Sequence, residues 1–331
     1  MLFGYDPFQT SLEDIRRLRD HIRYNTLSGE LECTNEELQT LRPMGSSGIN
    51  KSQDYVKNGL NPESSCTQVH YLKGHFLLKH LCDMVSEEAF FALLRKYIHQ
   101  LYHGRLVHST EFLTLFFDEF YGQSCTTSQQ SLKSICDDWL DTKELPKILA
   151  EKYHKLSPMS SGLVDQLLSA TKWWKNLNAR FLNRKRNKKG KSHSGREHKL
   201  EIPEIVKNLL NDQLVLLLEN LLLLSKISNR TLDRIDIEYE MCSRSPDVQH
   251  RFAELVIKHG CVDKLNFVEQ FLFDHQSMGI YLYGEMALCK NKTIQNRAKT
   301  LFGSLKKYMD PTMAINVNEM MYGTQDLIAT K

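Results

Sequence analysis

Two imidazoles one helical turn apart can hold half of a zinc site, so paired histidines are the first candidates for chemistry in this sequence. His99-Gln100-Leu101-Tyr102-His103 has that spacing. A zinc protease needs a glutamate directly after the first histidine to act as general base, and Gln100 stands there instead. No acidic third ligand lies at a convincing distance, so the pair is expected to sit on a solvated helix face. His70, His75 and His80 are five residues apart and would fan around a helix, which gives no common metal face. The eight cysteines are scattered and none forms a Cys-x-x-Cys pair, so they are read as free thiols of a reducing compartment. The sequence holds no His-Glu-x-x-His, no Gly-x-Ser-x-Gly, no P-loop and no Gly-x-Gly-x-x-Gly. No complete catalytic centre and no metal ligand set is therefore expected within these 331 residues.

Charge supplies a second candidate. The formal net charge is only +3, yet residues 183–199 hold eight Lys or Arg and one Glu. That segment carries +7, which leaves about −4 for the remainder. Its centre is Arg184, Lys185, Arg186, Lys188, Lys189 and Lys191, a run with nothing apolar to bury. It is expected to be a solvated linker or loop. An exposed basic run of this kind engages import machinery or nucleolar components, which predicts a nuclear or nucleolar population beside a cytoplasmic one. Nonspecific attraction to RNA by counterion release is the weaker reading, because the rest of the chain is mildly acidic. Trp173 and Trp174 lie nearby and could stack on bases, but Trp174 falls on an apolar stripe, which points to core packing.

The elements that must carry these residues are helices. Glycine (16) and proline (8) are scarce, and apolar residues recur at steps of three and four. Thr10-x-x-Glu13 and Thr34-x-x-Glu37 fit capping boxes, the first opening a stripe of Leu12, Ile15, Leu18 and Ile22 and the second a short helix ending before Pro43. Helices are predicted from about Gln68 to Val85, from Glu87 to Tyr102, from a Ser109 cap through Phe120, and over Leu132 to Leu140. A longer one follows Gly162 with the stripe Leu163, Leu167, Ala170, Trp174, Leu177 and Phe181. Beyond Pro203, helices of 12–18 residues are predicted between breaks at Ser228, Ser245-Pro246, Gly260, Asn291 and Pro311. The leucine-rich stretch Leu214 to Leu224 is too short for a bilayer and is interrupted by Glu219 and Asn220, so it reads as a buried core helix rather than a membrane contact.

The segment Gln68-Val69-His70-Tyr71-Leu72-Lys73-Gly74, with Leu41-Arg42-Pro43 upstream, resembles the zinc aminopeptidases related to leukotriene epoxide hydrolase. In that family Tyr-x-Lys-Gly opens a helix beside the metal centre. Asp212 to Glu219 and Met278 to Glu285 extend the resemblance in order, from about Ser11 to Tyr322. It implies an all-α chain. Residues 1–146 would be the C-terminal helical half of a thermolysin-like catalytic domain. Residues 147–202 would be a linker helix and the basic tract. Residues 203–331 would be a HEAT/armadillo-like helical-repeat domain.

The resemblance further implies that the zinc ligands and catalytic base lie upstream of Met1. The cofactor would then belong to a longer form with a peptide substrate, and this chain alone would be inactive. Tyr71 matches the tyrosine whose hydroxyl stabilises the oxyanion. Arg251 matches a cation that anchors the substrate's carboxylate, although Gln249 stands where the family has a second cation. Without the resemblance, Tyr71 reads as a helix-start tyrosine packed on its neighbour and Arg251 as a solvated helix residue. The competing classes are thus part of a peptidase, a helical interaction protein delivered by its basic tract, and an RNA binder.

Overall fold

Apolar spacing and N-terminal caps set the elements seen in the computed structural model, which describes residues 12–33, 39–42, 68–101, 104, 108–122, 132–153, 162–187 and 201–323. The first five helices are α1 (Leu12–Cys33), α2 (Val69–Met84), α3 (Glu87–Lys96), α4 (Ser109–Tyr121) and α5 (Lys147–Tyr153). Then come α6 (Gly162–Asn187), α7 (Asn211–Leu222), α8 (Asn229–Tyr239) and α9 (Pro246–Lys258). The last four are α10 (Leu265–Asp274), α11 (Ile280–Leu288), α12 (Lys292–Leu305) and α13 (Pro311–Asn318). Among the described residues there is no strand, so the chain is all-α there.

The chain divides into two compact units, residues 1–22 with 156–331 (the C-terminal unit) and residues 23–155 (the central unit). This partition differs from boundaries at 146 and 202 for a physical reason. The stripe of α6 is buried in the C-terminal core, through Leu167, Ala170, Trp174 and Leu177, so α6 belongs to that unit rather than to a linker. On the other side, α5 contributes Leu149 and Tyr153 to the central core.

In the C-terminal unit, α7 packs against both α6 and α9. Leu214, Val215, Leu216, Leu217, Leu218 and Leu221 are all buried, the pattern of a helix apolar on every side and enclosed by protein. No described helix is long and apolar enough to cross a membrane. Ser228 and Asn291 cap α8 and α12, their side chains accepting the amides of Thr231 and Thr293. Ser245 occupies the cap position of α9 without a side-chain bond, and Pro246 supplies the start instead. Two neutral networks hold the core. Trp174 Nε1 donates to the Tyr239 hydroxyl (2.9 Å), which donates to the Val206 carbonyl (2.7 Å). Asn178 Oδ1 accepts from the Ser228 amide (2.9 Å) and the Thr231 hydroxyl (3.0 Å).

The central unit is built on aromatics. Phe76, Phe90, Phe116, Phe117 and Trp139 are buried there, and Phe116 meets Phe117 edge-on with ring centroids 5.3 Å apart. That edge-to-face geometry is one of those the ring quadrupoles prefer.

Several expectations need correction. The helices beyond Pro203 are 8–14 residues long, and a turn at Gln276–Gly279 adds a break between α10 and α11 not foreseen in the sequence. A Cβ on Gly279 would press on the buried Leu272 side chain, which would have to shift to make room. Ser109 is the first helical residue of α4. His108 is its cap, with its amide donating to Glu111 Oε2 at 2.9 Å. Residues 39–42 form bends rather than helix, and Thr10 and Thr34 to Glu37 lie outside the described residues. The basic tract does not begin as a loop, since α6 continues through Arg184, Lys185 and Arg186 to Asn187. Arg and Lys are good helix formers, and cations are favoured at a helix C-terminus, so a helix anchored upstream can run on into them. Lys188, Lys189 and Lys191 lie outside the described residues.

Candidate functional site

The first turn of α2 carries the Tyr-x-Lys-Gly segment. Residues two apart on a helix point in nearly opposite directions, since each step turns the chain by about 100°. Tyr71 and Lys73 show this plainly, the first 76% exposed and the second 0%. Lys73 stands on the buried stripe of Val69, Phe76, Leu77 and Leu81. Its ammonium donates to the carbonyl oxygens of Gln39 (3.1 Å) and Thr142 (2.5 Å), residues far away in sequence. Burial pushes the Lys73 pKa down to about 8.

Neighbouring contacts tie the same three segments together. The amides of Leu41 and Arg42 donate to the Leu140 carbonyl at 3.0 and 3.2 Å. Arg42 Nε lies 3.1 Å from Asp141 Oδ1. Gln39 Nε2 donates to the Leu31 carbonyl at 2.9 Å. The Gln68 amide, at the α2 cap, donates to Glu30 Oε2 (3.4 Å), whose pKa is raised by burial against the lowering effect of that bond. Gln68 itself gives no side-chain cap. The arrangement presents a phenol outward from a helix end that is held from behind, and such a phenol can donate a hydrogen bond to a developing oxyanion.

Arg251 lies on α9 in the C-terminal unit. Its guanidinium contacts Glu219 on α7 (3.3 Å) and both carboxylate oxygens of Glu254 (2.9 and 3.0 Å). Burial opposes its charge, but Glu254 and then Glu219 outweigh burial and hold its pKa above the ordinary value. His250 Nδ1 is 3.6 Å from Glu254 Oε1, and burial lowers its pKa, with Glu254 opposing. Glu285 on α11 has its carboxyl pushed up by burial and then by Glu254. The structure thus brings Glu219 and Glu285, from the two downstream matching segments, around the Arg251–Glu254 pair. Gln249 donates its amide to the carbonyls of Cys242 (3.2 Å) and Arg244 (2.8 Å), so it braces the turn before α9.

The remaining candidates do not converge. His99 is exposed on a wide π turn after α3, and Tyr102 and His103 lie outside the described residues. Among the described residues, no group of three His, Cys, Asp or Glu is placed to hold a metal ion. Trp174 is fully buried and Trp173 packs partly against the core, so Trp174 offers no stacking face. The residue that sequence reasoning passed over is Lys73. Its signal was its place on an apolar stripe at helical spacing, inside a segment already singled out.

Residues 209–321 match the family described as Leukotriene A4 hydrolase, C-terminal. The chain is 34% identical over 336 residues to aminopeptidase O of Homo sapiens, an alignment covering 96% of this chain. Against aminopeptidase O of Rattus norvegicus and of Mus musculus it is 36% identical over 340 residues, again 96% of this chain. The chain spans 39% of the length of each of these relatives.

Proposed function

We propose, on the premise that this chain belongs through residues 209–321 to the leukotriene A4 hydrolase C-terminal family, that it works as the C-terminal portion of a zinc-dependent aminopeptidase. The observation that carries the reading is the exposed Tyr71 on a pinned helix start, within a match running along 96% of the chain. The described residues do not fit a zinc site, so no step of the reaction is routed through the metal here. What this chain contributes is a phenol O–H aimed outward, able to stabilise negative charge on the oxygen of a peptide carbonyl under attack.

The test uses two proteins. The purified 331-residue chain should not hydrolyse aminoacyl-coumarin substrates. Joined to the part of human aminopeptidase O that it does not cover, it should do so. In that chimera, Tyr71→Phe should lower kcat by roughly 10²–10³. Unchanged kcat would remove Tyr71 from the reaction, and robust activity of the chain alone would refute its dependence on a missing portion. The same reading gives Arg251 a contact with the substrate's carboxylate. That contact requires the substrate to displace Glu219 or Glu254, so Arg251→Gln should raise KM and spare kcat. An unchanged KM would discard it.

A second reading concerns location. Between Gln166 and Asn187, α6 carries six Lys or Arg and no acid, and the basic run continues through Lys188, Lys189 and Lys191. In this reading the tract delivers the chain to the nucleolus. A tagged chain should redistribute to the cytoplasm when Arg184 to Lys191 lose their charges. An unaltered distribution would end that reading, and salt-sensitive RNA binding without relocation would favour phosphate attraction instead.

A further inference from the structure

Among the described residues, Lys73 is the only charged side chain of the central unit in the buried class. An ammonium taken out of water costs several kcal/mol unless its donors are satisfied, so a buried lysine is bound to the acceptors it meets. Here the two acceptors are backbone carbonyls, at Gln39 and Thr142, which no side-chain substitution supplies or removes. The lysine therefore joins three stretches of chain at one point, directly behind the first turn of α2. The Gln68 side chain gives that turn no cap, and the Gln68 amide is held from outside by Glu30 Oε2. The first amides of a helix lack partners within it, so contacts from other segments set how firmly its first turn is held. Tyr71 sits in this turn, on the face opposite Lys73.

We infer that Lys73 is a positioning residue for Tyr71, tying the first turn of α2 to the Gln39 and Thr142 carbonyls and so fixing where the phenol points. This rests on the reading of Tyr71 as an oxyanion donor. Lys73 does not touch substrate. It acts through the helix, so its removal leaves Tyr71 present but mobile over more than the distance that oxyanion stabilisation tolerates. A displacement of about 1 Å at a reacting group is enough to cost about 10²-fold in rate.

The experiment is a double-mutant cycle in the chimera, with Lys73→Met, Tyr71→Phe and the two combined. Methionine keeps an unbranched stem of similar length without the charge. The expected result is a fall in kcat of about 10²-fold for Lys73→Met at unchanged KM, and no further fall when it is added to Tyr71→Phe. Equal losses from Lys73→Met in both backgrounds would overturn the inference, because the lysine would then act independently of the tyrosine. If Tyr71→Phe alone leaves kcat unchanged, the reading of Tyr71 fails, and amide exchange in the 331-residue chain judges the tether separately. There, Lys73→Met should speed exchange at Leu72 and Gly74 at least about tenfold, and unchanged exchange would refute the tether. If Lys73→Met does not fold, the wild-type chain decides. Its Leu72 amide, bonded to the Gln68 carbonyl at 2.9 Å, should be protected, and free exchange at that amide would overturn the inference.

Discussion

The two units answer one problem, how to satisfy polar groups inside a helical core, with different devices at two points. Around Trp174 and Asn178 the C-terminal unit uses neutral groups, although on α9 it also holds the charged Arg251–Glu254 pair. Trp174, Tyr239, Asn178, Ser228 and Thr231 exchange hydrogen bonds among themselves and with nearby carbonyls. The central unit uses a charge, Lys73, on two carbonyls. A neutral network adds stability over a wide range of conditions, and each bond contributes about 1 kcal/mol. A buried cation adds less net stability, because its desolvation offsets much of what its bonds return. The contrast suggests where geometry matters: the buried charge lies behind Tyr71, the exposed residue for which a catalytic role is proposed.

The largest effect expected from breaking this contrast is Trp174→Ala, which should cost about 3–5 kcal/mol in urea unfolding, since it opens a cavity and strips Tyr239 of a donor. A cost under 1 kcal/mol would mean that the core does not depend on this network. Asn178→Ala should cost about 1–3 kcal/mol, because the buried Ser228 amide and Thr231 hydroxyl lose their acceptor. Loss of those two bonds without a measurable shift in the unfolding midpoint would contradict the geometry.

The gentlest probe is pH, and it should act on the two units in different ranges. Lys73 falls from an ordinary 10.5 to about 8 in the fold through burial. Between those values the unfolded chain binds more protons, so stability of the central unit should rise with pH from about 8 to 10.5. Lys73→Met should lack that rise. In the C-terminal unit, burial and then Lys258 lower His259 from 6.5 to about 4, and its Nδ1 accepts the Ile227 amide at 3.3 Å. Its contribution is complete above 6.5 and should be lost as pH falls toward 4, as seen in the unfolding midpoint. Titrations that place both changes in one unit would erase the distinction.

Much of the fold was legible because its signals are local. The stripe of α6, the breaks at Ser228 and Asn291, and the enclosed α7 all follow from residues within a turn or two of one another. The Gln276–Gly279 turn was not legible. Its glycine answers to Leu272, seven residues earlier, which packs close to where a Cβ would stand. The helical start of the basic tract was hidden for a related reason, since charge marks solvation and says little about backbone. At the candidate site, Tyr71 was found through a family resemblance, whereas the partners of Lys73 and Arg251 are distant in sequence. The glutamates around Arg251 come from α7 and from α9 itself, and only the packing of those helices reveals that its charge is already engaged.

One helix has a consequence for how the chain comes to be folded at all. α1 buries Leu18 in the same core as Val164 and the helices beyond it, while Leu27 and Leu31 are buried with residues of the central unit. On the ribosome, Leu18 is made long before Val164 and must wait for it. At usual elongation speeds of about 5–20 residues per second, that wait is roughly 7–30 s. Through that interval the Leu18 end of α1 carries apolar surface whose native partners are not yet made, so it is a segment that a holding chaperone would be expected to bind.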